Sequence, residues 1–262
     1  MIGRLAANAR VVAALGARSV KQTARRPQLA APLIVFPTLL LAIQTGGAGN
    51  AINLAGFPQV NGFLDFMLAG AMIQSCLLAG NVGGIALAVD LEMGFTDRLF
   101  AAPISRFAIV LGRLAGTAVL GAATSLWFIA IGLVFGVEFG TGLAGIVVMV
   151  VLVALAAVAF GGISAAIALY TGQASVVQGL FPLVFVILFL SSAFFPADLL
   201  LQPAQAVADY NPLSFIAEGV REPVIAALTW RSLGEALAAI ALVGGLSIGL
   251  SAIALRRRLR VG

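Results

Sequence analysis

From Asp90 the chain reads Asp-Leu-Glu-Met-Gly-Phe-Thr-Asp-Arg-Leu-Phe-Ala-Ala-Pro-Ile-Ser-Arg, a stretch whose chemistry is that of contact rather than catalysis. Asp90, Glu92, Asp97 and Arg98 supply charges, and Phe95 supplies an apolar anchor. Leu91, Phe95 and Leu99 recur at i, i+4 and i+8, the period of a short amphipathic helix that Pro103 would stop. A charged rim around one aromatic suits a protein partner's groove; the same pattern also serves a connector lying on a membrane. Phe181, Phe185 and Phe189 recur at four-residue spacing, with Phe194 and Phe195 beyond them. Such a row could stack on planar cargo, line a lipid path or pack against neighbouring helices, since periodicity does not distinguish these faces. Further on, Asp209, Tyr210, Asn211 and Pro212 predict a helix start, with Asn211 as N-cap and Pro212 at the first helical position.

Other chemistries are excluded by what the chain lacks. It has no histidine, so it cannot build a Ser/His/Asp or Cys/His triad, a zinc site of the usual kind or a histidine proton relay. Cys76 is the one cysteine, which rules out an intramolecular disulfide or a thiolate metal cluster. Lys21 is the one lysine, and no Gly-x-x-x-x-Gly-Lys-Ser/Thr run surrounds it, so a nucleotide cannot be held in the usual way. The chain therefore reads as a non-enzyme that binds no cofactor or metal of its own. Its net charge of +5 does not point to nucleic acid, because no central basic patch with interleaved aromatics exists.

The elements that must position these residues are membrane helices. With 61% hydrophobic and 10% charged residues over 262 positions, the polar surface is too small to cover the molecule in water. The fold class is all-α and polytopic. Residues 1–27 predict an amphipathic helix along the interface, with Arg4, Arg10, Arg18, Lys21, Arg25 and Arg26 on one face and Ile2, Leu5, Ala9, Val12, Ala13 and Val20 on the other. This start is read as retained rather than a signal peptide, since Pro32 and Pro37 interrupt the apolar run after it. Six apolar segments then meet the length a bilayer needs: Gln28 to Thr45, Phe63 to Val89, Phe107 to Val137, Leu143 to Tyr170, Val176 to Phe195 and Leu233 to Leu255.

Six crossings with both termini cytoplasmic put all of the 15 basic residues inside except Arg221 and Arg231. Residues 28–195 hold the first five spans, 196–232 an outer segment, 233–255 the sixth span and 256–262 a basic tail. The outer segment is too interrupted to span, carrying Pro196, Pro203, Asp209, Pro212, Glu218, Arg221, Glu222 and Pro223, and it fits a pair of short re-entrant helices. Asp65 stands near the outer end of the second span, suited to capping it, while Glu138 and Glu235 sit at edges, so the carboxylates of a proton pump are missing. No internal repeat supports an inverted-repeat transporter. Gly112/Gly116 and Gly245/Gly249 have the spacing of close helix contacts, which 30 glycines also produce by chance.

Two stretches resemble a known family. Glu92 to Leu114, with Gly94-Phe95-Thr96-Asp97-Arg98-Leu99, Ala102-Pro103-Ile104-Ser105-Arg106 and Gly112-Arg113-Leu114, resembles the permease subunits of ABC-2 type exporters, especially the daunorubicin-resistance permeases of actinobacteria. So does Leu190 to Arg221, through Ser191-Ser192-Ala193-Phe194-Phe195-Pro196, Tyr210-Asn211-Pro212-Leu213 and Glu218-Gly219-Val220-Arg221. Phe100 departs from the pattern, which more often has a small or aliphatic residue there, and this bears on partner matching.

The resemblance implies that Glu92, Gly94, Phe95, Thr96, Asp97, Arg98 and Leu99 form a coupling helix that docks on a separate ATP-binding subunit. The amphipathic start would contact the same partner. Pro196, Asp209, Asn211, Pro212 and Glu218 would belong to the re-entrant pair, and Phe181, Phe185 and Phe189 would be candidates for a cargo path. ATP and magnesium would reside on the partner ATPase. A second permease copy or a related permease would complete a pathway in the bacterial cytoplasmic membrane, exporting hydrophobic or amphipathic cargo such as a drug or lipid. A polysaccharide or glycolipid exporter and a non-transporting membrane scaffold are the alternatives.

Overall fold

The computed structural model describes the backbone of residues 2–96, 99 and 106–261, and the side chains of 8–96, 99 and 108–258. All of its regular structure is helical among the described residues. In chain order the helices are α1 (Ile2–Ala24), α2 (Pro27–Ala48), α3 (Phe63–Glu92), α4 (Arg106–Val134), α5 (Gly142–Thr171), α6 (Ala174–Gln178), α7 (Phe181–Phe189), α8 (Ala204–Tyr210), α9 (Pro212–Ile225) and α10 (Trp230–Val261). Among the described residues, five segments are long and apolar enough to cross a membrane: α2 with the turn after it, α3, α4, α5 and α10.

The bundle is organised around α3, which is buried along nearly its whole length and packs against α2, α4, α5 and α9. Its sequence explains that position. Small residues alternate with Leu, Met and Ile on all sides, so neighbours approach from every direction without a polar face to solvate. Gly80 and Gly84 form a close crossing with α5. A Cβ added to Gly80 would lie 2.8 Å from the Gly161 nitrogen of α5, and one added to Gly84 would lie 2.4 Å from the Ser164 Cβ.

The N-terminal helix forms over the predicted residues, but the face it buries differs from the expected apolar one. Leu15, Gly16, Ser19 and Thr23 pack inward, while Ala9 and Ala13 are exposed. The reason lies on α4, where a Cβ at Gly112 would come within 2.7 Å of the Leu15 Cβ and one at Gly116 within 2.7 Å of the Ser19 Cβ. Close approach, not hydrophobicity, selects the buried stripe. Gly245 and Gly249, of the same spacing, have nothing within 4 Å of such a Cβ.

The fifth predicted span is not one continuous helix. It divides into α6 and α7 at Gly179 and Leu180, where Pro182 in the first turn of α7 lacks the N–H that an unbroken helix would use, and it ends at Leu190, before Phe195. The broken segment nevertheless runs antiparallel to α3 over most of its length. The Ala174 nitrogen donates to Glu92 Oε1 at 2.7 Å at one end, and Ala193 and Phe194 cover Gly70 at the other. Twenty-two residues of α3 separate those points, about 33 Å of helix.

Candidate functional site

Two clusters of polar and aromatic side chains sit at opposite ends of α3. At the Glu92 end, the expected amphipathic helix from Leu91 through Leu99 is interrupted. Asp90, Leu91 and Glu92 are the last turn of α3, and Gly94 follows with φ +67°, a left-handed conformation that a side chain would strain. Helical backbone resumes at Phe95 and Thr96. Asp90 is therefore not a surface contact. Its carboxylate is wholly buried, accepts from Arg18 Nη1 at 2.8 Å and Nη2 at 3.4 Å, and pairs with Arg113 of α4. Partial burial lowers the proton affinity of Arg18 from its ordinary value, yet a guanidinium keeps its charge near neutrality, so two cations face one anion.

The Arg18 guanidinium carbon lies 3.8 Å from the centroid of the Phe95 ring, a cation–π contact. Phe95 is half-buried, Thr96 is buried and Leu99 is half-buried, whereas Glu92 and Met93 are exposed. Asp97 and Arg98 lie outside the described residues, as do Pro103 and the rest of 100–105. Sequence reasoning took Asp90 for a contact charge and missed that Arg18 and Arg113 converge on it. Three elements that are distant in sequence meet there, and no local period reports such a meeting.

At the other end of α3, Asn211 caps α9, with Oδ1 accepting from the Leu213 nitrogen at 3.0 Å. Its Nδ2 donates to the carbonyls of Ile187 and Leu190, both at 2.8 Å, so the same side chain also closes the end of α7. Asn211→Ala should lower stability by the lost cap, about 0.5–2 kcal/mol, and by more for the two carbonyls left unpaired. Asn211→Asp separates the two roles, because it keeps the cap and removes both donors. Thermal unfolding should show the aspartate variant at least as destabilised as the alanine one; a wild-type melting temperature for Asn211→Asp would reduce the residue to a cap.

Arg221 is the member of this cluster that the sequence under-reported. Read as an outer-loop charge, it is in fact wholly buried, bonded to Glu218, to the carbonyls of Ser192 and Ala193 and to that of Phe66, with its guanidinium 3.7 Å over the Phe66 ring. Glu218 also accepts from Ser192 Oγ. Pro196 is buried before the short turn Ala197–Leu199, Pro212 opens α9, and Asp209 is exposed at the end of α8. Asp65 accepts from the Gly62 nitrogen at 3.0 Å, capping the start of α3.

The phenylalanines of α7 form one row that extends onto α2. Phe181 and Phe185 centroids are 4.9 Å apart, Phe36 meets Phe185 edge-on at 5.4 Å, and Phe189 meets Phe194 at 5.2 Å. Phe36, Phe181 and Phe189 keep one face exposed, an arrangement able to stack on an apolar planar surface. A second apolar groove of about 420 Å³ opens between α2 and α4, walled by Leu41, Leu64, Trp127, Ile131 and Phe135. Its walls come from three helices, so no single sequence period marks it.

Residues 10–225 match the family described as ABC-2 type transporter. The chain belongs to that family. This ABC-2 protein is 25% identical over 194 residues to the daunorubicin resistance ABC transporter permease protein DrrB1 of Streptomyces coeruleorubidus, covering 72% of this chain and 66% of the relative's length. It is 24% identical over 211 residues to the probable doxorubicin resistance ABC transporter permease protein DrrC of Mycobacterium tuberculosis, covering 75% and 74%. The ABC-2 chain is thus a multi-pass membrane protein of the ABC permease type.

Proposed function

We propose that this ABC-2 chain is the membrane subunit of an ATP-driven exporter in a bacterial plasma membrane, moving hydrophobic or amphipathic cargo and energised by a separate ATP-binding subunit. The observation that carries the reading is the junction at the Glu92 end of α3. There an exposed turn, Met93 beside the half-buried Phe95, stands next to the basic helix α1 and is bonded into the bundle through Arg18 and Asp90. A partner pressing on such a turn acts on the central helix directly. With no phosphate-binding loop in the sequence, ATP and magnesium belong to that partner.

Six crossings with the Glu92 end of α3 and both termini cytoplasmic remain the best account of charge placement. The broken α6–α7 segment supports a sixth crossing, since its path beside α3 matches the hydrocarbon thickness of about 30 Å. On this reading α8 and α9 form the re-entrant pair on the outer side. The exposed Phe36, Phe181 and Phe189 faces favour apolar cargo, and the relatives' names, which refer to daunorubicin and doxorubicin resistance, favour drug-like cargo. A second copy or a related permease would supply the opposite wall of the pathway, most simply with two-fold symmetry.

Recovery of an ATP-binding subunit with the tagged permease in mild detergent tests the reading. Phe95→Ala should reduce the recovered subunit about tenfold or more, as expected where truncating an interface aromatic costs about 2 kcal/mol, while leaving membrane insertion intact. If wild-type permease is purified from its own host with no ATP-binding subunit, the proposed energy source is wrong.

A further inference from the structure

We infer that Asp90 is the positioning residue that locks α1, the end of α3, the start of α4 and the Met93–Thr96 turn into one rigid body. This makes a push on the turn a movement of all of them, and that consequence rests on the docking role proposed above.

Within six residues the chain is tied to three other elements. Asp90 holds Arg18 of α1 through both carboxylate oxygens and also pairs with Arg113 of α4. Glu92 accepts the backbone N–H of Ala174 at the start of α6. Phe95 carries the Arg18 guanidinium on its ring. Among the described residues, the Arg18–Asp90 pair is the side-chain hydrogen bonding that joins α1 to α3. The close packing of Leu15 and Ser19 on Gly112 and Gly116 holds α1 to α4.

Charge makes Asp90 the hub rather than either arginine. Removing the carboxylate leaves two guanidinium groups facing each other with no anion between them, which converts attraction into repulsion. Removing Arg113 leaves a one-to-one pair between Arg18 and Asp90. The two changes should therefore differ in kind, although they break the same cluster. Asp90 is buried while the Arg18 side chain is 38% exposed, so the carboxylate sees little screening.

The test is a distance measurement on the full-length permease in nanodiscs, in a Cys76→Ala background, with spin labels at the exposed positions Ala9 of α1 and Met93 of the turn. A control pair at Val151 of α5 and Leu246 of α10, both exposed, reports the rest of the bundle. The wild type should give one narrow Ala9–Met93 distribution. Asp90→Asn should broaden it at least twofold while the control pair is unchanged, Arg113→Gln should leave it narrow, and Asp90→Glu should restore it. A wild-type width in Asp90→Asn overturns the proposal. Broadening of both pairs also overturns it, because Asp90 would then be a general anchor of the fold.

This measurement needs no partner, so it fails separately from the functional reading. If the junction is rigid but no ATP-binding subunit is recovered, the rigid junction stands and the docking role falls. If the subunit is recovered and the wild-type Ala9–Met93 distribution broadens on adding ATP, the docking role stands and the rigid body falls.

Discussion

Arg221→Leu should unfold the end of the bundle that holds α8 and α9. The guanidinium is wholly buried and bonds to the carbonyls of Ser192, Ala193 and Phe66 as well as to Glu218. Leucine fills part of the volume but supplies no donor, so the last carbonyls of the segment after α7 lose their partners together with the charge that balances Glu218. Leaving buried carbonyls without a donor costs about 1–3 kcal/mol each, and each kcal/mol lowers the melting temperature of a chain of this size by roughly 2–4 °C. Arg221→Lys should recover only part of this, because one ammonium cannot reproduce a planar fork aimed at several acceptors. Glu218→Gln should matter less, since that side chain is about half exposed. Thermal unfolding in detergent ranks the three; Arg221→Leu melting with wild type would mean that the buried bonds contribute nothing net.

Gly84→Val should be comparably severe for a steric reason. Even the first carbon of the new side chain would meet the Ser164 Cβ at 2.4 Å and the Ser164 carbonyl carbon at 2.9 Å, so α3 and α5 must separate. Overpacking of a well-filled core costs about 1–3 kcal/mol or more, and here backbone lies behind the clash, so little can yield. The companion substitution Gly249→Ala meets nothing within 4 Å and should be neutral or stabilising by about 0.5–1 kcal/mol through helix propensity. Size-exclusion behaviour and melting of the purified variants check both; equal effects at the two glycines would show that the α3–α5 crossing is looser than its distances.

Much of the architecture was legible in the sequence, and the reasons are local. Apolar runs of bilayer length marked α2, α3, α4, α5 and α10, because a helix in lipid must be apolar along its own contiguous residues. The Asn211/Pro212 start was legible for a similar reason: a cap is made by side chain and backbone two residues apart. The broken fifth segment was not, although Gly179 and Pro182 were in view, since hydropathy averages over a break and reads only apolar content.

The candidate sites divide along the same line. Family membership was carried by contiguous motifs, from Gly94 onward and from Tyr210 to Leu213. The convergence of Arg18, Asp90 and Arg113, the burial of Arg221, and the difference between Gly112/Gly116 and Gly245/Gly249 were decided by tertiary structure alone. Charge type and spacing in a sequence specify what a side chain could bond. Which partner it meets depends on helices brought together from positions far apart in the chain, and the free energy of a buried charge or a bare glycine surface is set by that meeting.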